Sequence, residues 1–209
     1  EVRARAIEMI GRRGWGRQNY LVHSAVGDSS DVVRWAAVRS AVAMKDRASA
    51  GPISRQLRVE KEDELKLAMI EALLDLRVDD SANALAHLLR SDEKEAIRQR
   101  AAMAIGNLRI KDGGFALIQA IRSDEKLEVR LEAAAALGEL ADPALAESIM
   151  DLLDKPGEDR RVLQLAAMAI IRSGSDEKIR KLQRVASTLK DRVLGEEIER
   201  MVRKYQADR

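Results

Sequence analysis

Cysteine is absent from the 209 residues, so the chain has no disulfide framework, no thiolate nucleophile and no cysteine-ligated zinc. Missing cysteine fits any compartment and leaves the localisation open. Aromatic residues make up 2% of the chain, and Phe115 is its single phenylalanine. A sheet-based core leans on aromatic and β-branched side chains, so this scarcity points to helices packed closely through Ala and Leu. Charge of one sign is lacking as well. The 37 Lys and Arg are nearly balanced by 35 Asp and Glu, giving a formal net charge of +2 in a chain that is 34% charged. That is the dispersed, mixed pattern of a solvated helical surface, and a frankly basic nucleic-acid protein would be more lopsided. No stretch approaches the roughly 18 consecutive apolar residues of a membrane span. No signal peptide is expected, because Glu1 begins directly in a charged, helix-patterned segment. A start at Glu1 instead of methionine predicts a trimmed or processed chain, part of a longer polypeptide or complex.

What is present is a repeat. The apolar residues Val2, Val33, Leu65, Ile97, Val129 and Val162 stand 31, 32, 32, 32 and 33 positions apart. Four positions after these anchors come Ala6, Ala37, Met69, Ala101, Ala133 and Ala166, and eight after them Ile10, Ala41, Leu73, Ile105, Leu137 and Ile170. Apolar residues at 0, +4 and +8 line one face of a 3.6-period helix, and the frequent alanines let neighbouring helices approach. A second helix follows in each unit. Its apolar positions are Val22, Ile53, Leu85, Leu117, Ile149 and Leu182 at +20, then Val26, Leu57, Leu89, Ile121, Leu153 and Ala186 at +24. Asp142-Pro143, Asp80-Ser81 and Ser175-Asp176 read as helix caps. Gly113-Gly114, Gly51-Pro52 and Pro156-Gly157 read as turns. The units fall at about 1–30, 31–62, 63–94, 95–126, 127–159 and 160–190 of a single domain 1–209. An amphipathic helix over 191–206, with Val193, Leu194, Ile198, Met201, Val202 and Tyr205 on its apolar side, is expected to cap them.

The segments Ile97-Arg98-Gln99-Arg100-Ala101-Ala102-Met103-Ala104-Ile105-Gly106 and Val129-Arg130-Leu131-Glu132-Ala133-Ala134-Ala135-Ala136-Leu137-Gly138 resemble the first helix of HEAT repeats. They are most similar to the subtype called PBS-lyase HEAT-like, whose motif reads roughly V-R-x-x-A-A-x-A-L-G. The likeness covers nearly the whole chain and is strongest in the fourth and fifth units. It implies an all-α fold, a right-handed α-α superhelix of about six helix pairs plus a capping helix, and a habit of binding macromolecules without a fixed activity. In such folds the second helices line the concave side.

Polar residues of the second helices are therefore the candidates for contact. Positions +22 and +25 hold Arg55 and Arg58, His87 and Arg90, then Gln119 and Arg122. This predicts a basic strip followed by an acidic patch of Glu147, Asp151 and Asp154, a bipolar groove suited to an acidic segment of a protein partner. The bland alternative is a set of solvated charges and inter-repeat ion pairs. The column Arg3, Arg34, Lys66, Arg98, Arg130 recurs within the motif and reads as structural, each expected to pair with a carboxylate at the preceding turn such as Asp31, Asp63 or Asp92. Arg12-Arg13-Gly14-Trp15-Gly16-Arg17 interleaves basic and aromatic residues in the manner of a nucleic-acid contact, although glycine is also expected at such a turn and Trp15 could cover an end of the core. Trp35 is expected to pack against a neighbouring unit or a removed domain.

Catalysis has little behind it. His23 and His87 lie in different units, no Gly-rich phosphate loop or HExxH is present, and the His-Glu pairs of HEAT-like hydroxylases are missing. The acidic pairs Asp79-Asp80, Asp92-Glu93, Asp124-Glu125 and Asp176-Glu177 fall at turns and helix starts, where anions complement the helix dipole. The resulting expectation is a non-catalytic protein-interaction scaffold without metal or cofactor, binding through Arg55, Arg58, His87, Arg90, Gln119 and Arg122. Nucleic-acid binding is the alternative, and a chromophore-lyase-like accessory role is a more distant one.

Overall fold

A computed structural model of the chain describes residues 1–78 and 81–208. Among these, every regular element is helical. Helix pairs follow the repeat. They are α1 (Val2–Arg13) with α2 (Asn19–Ala25), α3 (Asp31–Ala43) with α4 (Ala50–Leu57), and α5 (Asp63–Leu76) with α6 (Ala82–Ser91). Then come α7 (Glu95–Asn107) with α8 (Gly114–Ser123), α9 (Leu127–Leu140) with α10 (Ala146–Met150), and α11 (Arg160–Arg172) with α12 (Asp176–Ala186), followed by α13 (Arg192–Ala207). This is the all-α architecture of a HEAT-like helical solenoid. The chain forms two compact units, Glu1–Ala104 and Ile105–Arg209. In the first, α1, α3 and α5 pack in succession, as do α2, α4 and α6 beside them; in the second, α9 packs on α11 and α11 on α13.

Burial explains the pairing. Both second-helix columns, +20 and +24, are buried in all six pairs, including Leu153 just beyond the short α10. The first-helix columns at 0, +4 and +8 are buried from Val33 onward. The first pair departs from the expected pattern: Val2 is 83% exposed and Ala6 is exposed, while Ala4, Ile7, Ile10 and Gly11 are buried. Helix α1 packs mainly on α2 and α3, so it buries the face turned toward them and leaves the opposite face bare. In α13 the buried residues are Leu194, Ile198 and Val202, whereas Val193, expected on the apolar side, is exposed. First helices approach closely where side chains are small. A Cβ added to Gly106 would lie 2.8 Å from Ala136 Cα, and one on Gly11 would lie 2.5 Å from the Oγ of Ser40, whose hydroxyl donates to the carbonyl of Ile7.

Turn chemistry repeats with the same period. Gly14, Lys45, Arg77, Arg109, Ala141 and Gly174 all have φ between 48° and 69°. Each stands twelve positions after its anchor, at the end of a first helix. The N–H of the following residue in the first, second and fourth pairs (Trp15, Asp46, Ile110) donates back to Ile10, Ala41 and Ile105, closing a Schellman-type end. Asp142 accepts from the N–H of Ala144, and Ser175 from that of Lys178, as the cap reading expects. Asp79 and Asp80 lie outside the described residues, and the Ser81 hydroxyl makes no capping bond. Gly51-Pro52 is not a turn. It lies in the first turn of α4, where proline's missing N–H would have no helical acceptor.

The cation column joins successive pairs, but by a different route from the one expected. Arg34 forks onto Glu60 at 2.7 and 2.9 Å, and its remaining Nη1 donates to the carbonyls of Asp28 and Ser29. Arg130 bonds Glu158 at 2.9 Å and donates to the carbonyls of Asp124 and Glu125. Arg3 forks onto Asp28, Lys66 reaches Asp92 at 2.7 Å, and Arg98 donates to the carbonyls of Asp92 and Glu93. Carboxylates therefore come from the following turn, and the preceding turn supplies carbonyls. Of the three expected partners, Asp92 pairs with Lys66, Asp63 adds a longer 3.4 Å contact to it, and Asp31 instead accepts from the Val32 N–H. The geometric reason is that the preceding turn leads directly into the helix bearing the cation, so its backbone oxygens are the atoms within reach. Where Leu163 breaks the column, Arg160 takes over the link, to Asp191.

Glu60 and Glu158 are each 1% exposed at the side chain. Burial pushes their carboxyls up, but hydrogen bonds outweigh it. Arg34, Gln56 and the Lys61 and Glu62 N–H groups hold Glu60 below the ordinary glutamate value; Lys155, Arg130 and the Asp159 N–H do so for Glu158. The unfolded chain therefore takes up these protons first. Stability present at neutral pH is lost as pH falls from the ordinary value near 4.5 through the folded ones. Replacing Glu158 by Gln should cost about 3 kcal/mol at pH 7 in urea unfolding, because it removes the buried counter-charge of two half-buried cations, Arg130 and Lys155. It should also shrink the stability lost between neutral pH and about pH 3.5; an undiminished acid loss in the variant would contradict this assignment. At the helix ends, Ala141→Gly should raise stability by about 1 kcal/mol, since only the alanine Cβ is strained at positive φ. An equal or lower urea midpoint would refute that.

Candidate partner-binding surface

In the first unit, α4 and α6 are neighbouring second helices, and the repeat places Arg55 and Arg58 on one in the same register as His87 and Arg90 on the other. The periodicity that buries Ile53 and Leu57, or Leu85 and Leu89, turns +22 and +25 away from the core. Arg55, Arg58 and Arg90 are exposed and His87 is half-buried. None of the three arginines has a carboxylate partner among the described residues, in contrast to Arg3, Arg34, Lys66, Arg39 and Arg100 of the same unit. Among the described residues the His87 side chain makes one long contact, 3.5 Å from Nδ1 to the hydroxyl of Ser91, which itself donates to the His87 carbonyl. This surface can supply three guanidinium forks to an anionic ligand, with no internal pair to break first.

In the second unit, Gln119 and Arg122 occupy the same register on α8 and are exposed. Arg122 lies 4.0 Å from Asp151, so part of its charge is answered within the chain. Two members of the expected acidic patch, Glu147 and Asp151, are likewise compensated. Glu147 accepts from Lys178 at 3.2 Å and from Lys181, and these two bonds, Lys181 foremost, hold its carboxyl below the ordinary range. Lys178 and Lys181 lie on α12, one repeat on, which is why the pattern within a single unit did not reveal them. The Asp92-Glu93 and Asp124-Glu125 pairs act as turn formers: Asp92 and Asp124 accept from the N–H groups of Lys94 and Lys126.

Two features escaped the sequence reading. His23 Nε2 meets Asp46 at 2.6 Å, and the Ser49 hydroxyl donates to the same carboxylate. Burial pushes Asp46 up, and these two bonds with the Ala48 N–H bring it below its ordinary value. The partners are 23 residues apart, and the contact links α2 to the turn before α4. Among the described residues no three His, Cys, Asp or Glu side chains converge as metal ligands would. The second feature is a groove of about 600 Å³ on α9, α11 and α13, with Leu131, Leu165, Met168 and Met201 in its lining. These residues lie outside the repeat columns, so periodicity alone does not mark them. Trp35 is half-buried, and Trp15, Tyr20 and Phe115 are exposed at 46%, 61% and 65%.

Comparison with known proteins bears on the fold. The family model for HEAT repeats matches residues 116–201. No curated relative matches the chain. Among solved structures, human deoxyhypusine hydroxylase in complex with glycerol aligns at 18% identity with a TM-score of 0.52, covering 98% of this chain and 79% of that one. The complex of CpcE and CpcF of phycocyanin lyase from Nostoc sp. PCC7120 aligns at 20% identity with a TM-score of 0.41, covering 89% and 73%. At these identities the likeness to the hydroxylase is one of fold alone. Residues 116–201 thus match HEAT repeats, and the paired helices along the chain have the same HEAT-like form.

Proposed function

We propose that the chain is a non-catalytic protein-interaction module, and that its α4–α6 face binds an acidic segment of a partner protein. The observation that carries this reading is the row of unanswered cations. Arg58 at the end of α4 and Arg90 on α6 stand at equivalent positions, with Arg55 one turn before Arg58, and none has a carboxylate partner among the described residues, although the chain carries nearly as many acids as bases. Elsewhere in the unit, cations at regular register positions are tied to turn carboxylates and serve the fold. Exposed arginines kept clear of acids concentrate positive potential, which speeds encounter with an anionic ligand and fixes its orientation. Carboxylates along an extended segment match the guanidinium fork, and the HEAT-repeat frame holds the forks at fixed spacing. Gln119 and Arg122 offer the same register on α8 of the second unit.

A fluorescein-labelled peptide rich in Asp and Glu, titrated with the protein and followed by anisotropy, tests the proposal. Binding at low salt is expected to weaken steeply as salt is raised. The triple variant Arg55→Glu, Arg58→Glu, Arg90→Glu should weaken it at least tenfold, with helicity and urea midpoint within about 0.5 kcal/mol of the parent because these are surface positions. Equal affinity in parent and triple variant, or no binding of the peptide even at low salt, would remove the α4–α6 face as the site.

A further inference from the structure

The turn between α1 and α2 differs from its counterparts in ways the fold does not require. The corresponding turns carry Asp46, Asp112, Asp142 and Asp176, whereas this one reads Arg12-Arg13-Gly14-Trp15-Gly16-Arg17. From Met9 to Gly27 there is no acidic residue at all. At the chain's average of 35 acids in 209 residues, such a 19-residue stretch would carry about three. Arg12, Arg13 and Arg17 are exposed. Among the described residues Arg13 and Arg17 have no carboxylate partner, and Arg12 has a single 3.8 Å approach to Glu8. Trp15 and Tyr20 are 46% and 61% exposed, in a chain with five aromatic residues altogether. The segment also stands clear of the body: a Cβ added to Gly14 or Gly16 would meet nothing within 4 Å. Gly14, with φ 62°, ends α1, and a 3-10 turn over Gly16–Gln18 leads into α2.

Two exposed aromatic side chains, flanked by Arg13 and Arg17, which have no carboxylate partner among the described residues, are complementary to a flexible polyanion that carries its own flat rings. We propose that the α1–α2 turn binds single-stranded nucleic acid, with bases stacking on Trp15 and Tyr20 and phosphates held by Arg13 and Arg17. Stacking of this kind tolerates any base sequence, because every base has a π face, and the arginines supply the salt-dependent part of the affinity. Single-stranded nucleic acid answers both features at once, with a base for each ring face and a phosphate for each guanidinium. The site is separate from the α4–α6 strip and does not rest on it.

The test uses the whole chain with a fluorescein-labelled oligothymidylate of about 15 nucleotides, followed by anisotropy and by tryptophan emission. Trp15 and Trp35 are the only tryptophans. Binding should quench emission in a Trp35→Phe variant and leave it unquenched in a Trp15→Phe variant. Arg13→Glu with Arg17→Glu should weaken binding at least tenfold, and Trp15→Ala at least fivefold, with helicity retained. The affinity should fall with salt at a log–log slope of about −1.4 for two phosphate contacts. Arg58→Glu with Arg90→Glu should change the affinity less than twofold. The proposal is overturned if the oligonucleotide fails to bind at low salt, if the Arg13/Arg17 pair can be reversed without effect, or if the α4–α6 variant abolishes binding instead. It is also overturned if phosphatidylserine vesicles, and not the oligonucleotide, change Trp15 emission.

Discussion

A helix pair with apolar side chains on more than one face has no stable form alone, and within each compact unit a cation–carboxylate link with a buried acid ties a first helix to the turns on either side of it. Arg34 with Glu60 and Arg130 with Glu158 show its full form. One part of the guanidinium holds a carboxylate of the following turn, and the other holds two backbone carbonyls of the preceding one. The turn acid in its own right accepts backbone N–H groups at the start of the next helix, as Glu60 does from Lys61 and Glu62. A single arginine thus joins three consecutive segments of chain. Burying a carboxylate costs several kcal/mol unless its lone pairs are met, and here almost every acceptor is. Hydrophobic burial drives helices together but is indifferent to small slips along their axes. A forked ion pair is not, and register is the natural role for this link.

The rest of the layer geometry follows once register is set. With turns pinned, the first helices are brought close enough for Gly106 to meet the backbone of Ala136, and for Ser40 to reach the carbonyl of Ile7. The alanine-rich sequence is what such close approach demands, and the scarcity of aromatic residues is its counterpart. Large rings would hold the layers apart, and those present are at turns, at helix starts or half-buried. The strained ends of the first helices belong to the same logic. Lys45, Arg77, Arg109 and Ala141 accept positive φ at roughly 1 kcal/mol each because the chain must reverse at a fixed place for the second helix to find its neighbours.

Much of this was legible in the sequence because it repeats. The +20 and +24 columns, the helix pairs and the HEAT-like motif could be read from apolar spacing, since a residue that must be buried six times over leaves a six-fold signature. Three things could not be read that way. The turn acids Asp28, Glu60 and Asp92 also recur every 32 residues, but Asp and Glu are so common that the column is inconspicuous, and the acids nearest in sequence to each cation lie one turn before the true partners. The positive-φ column was hidden because glycine marks it only at Gly14 and Gly174. The bare face of α1 could not be foreseen from a pattern that treats every unit as interior: Val2 obeys the repeat in sequence and departs from it in burial because no helix packs on that side among the described residues.

Arginine carries the last step. The sequence offers Arg34, Arg58, Arg122 and Arg17 as the same residue type on similar amphipathic segments, and periodicity alone ranks the most regular of them as the most conspicuous. Partnering separates them. Arg34 is regular, largely buried and fully occupied by Glu60 and the carbonyls of the preceding turn, so its charge is unavailable to any other molecule. Arg122 is exposed but lies near Asp151, an exposed contact worth at most about 1 kcal/mol, which a stronger ligand would displace at some cost. Arg58 and Arg17 are exposed with no acid to answer them among the described residues, and a guanidinium left in that state loses no internal contact when an anion arrives. That asymmetry between occupied and unoccupied charge, and not regularity in the sequence, is what supports the proposal that the exposed, unpaired arginines and not the ion-paired column face a ligand.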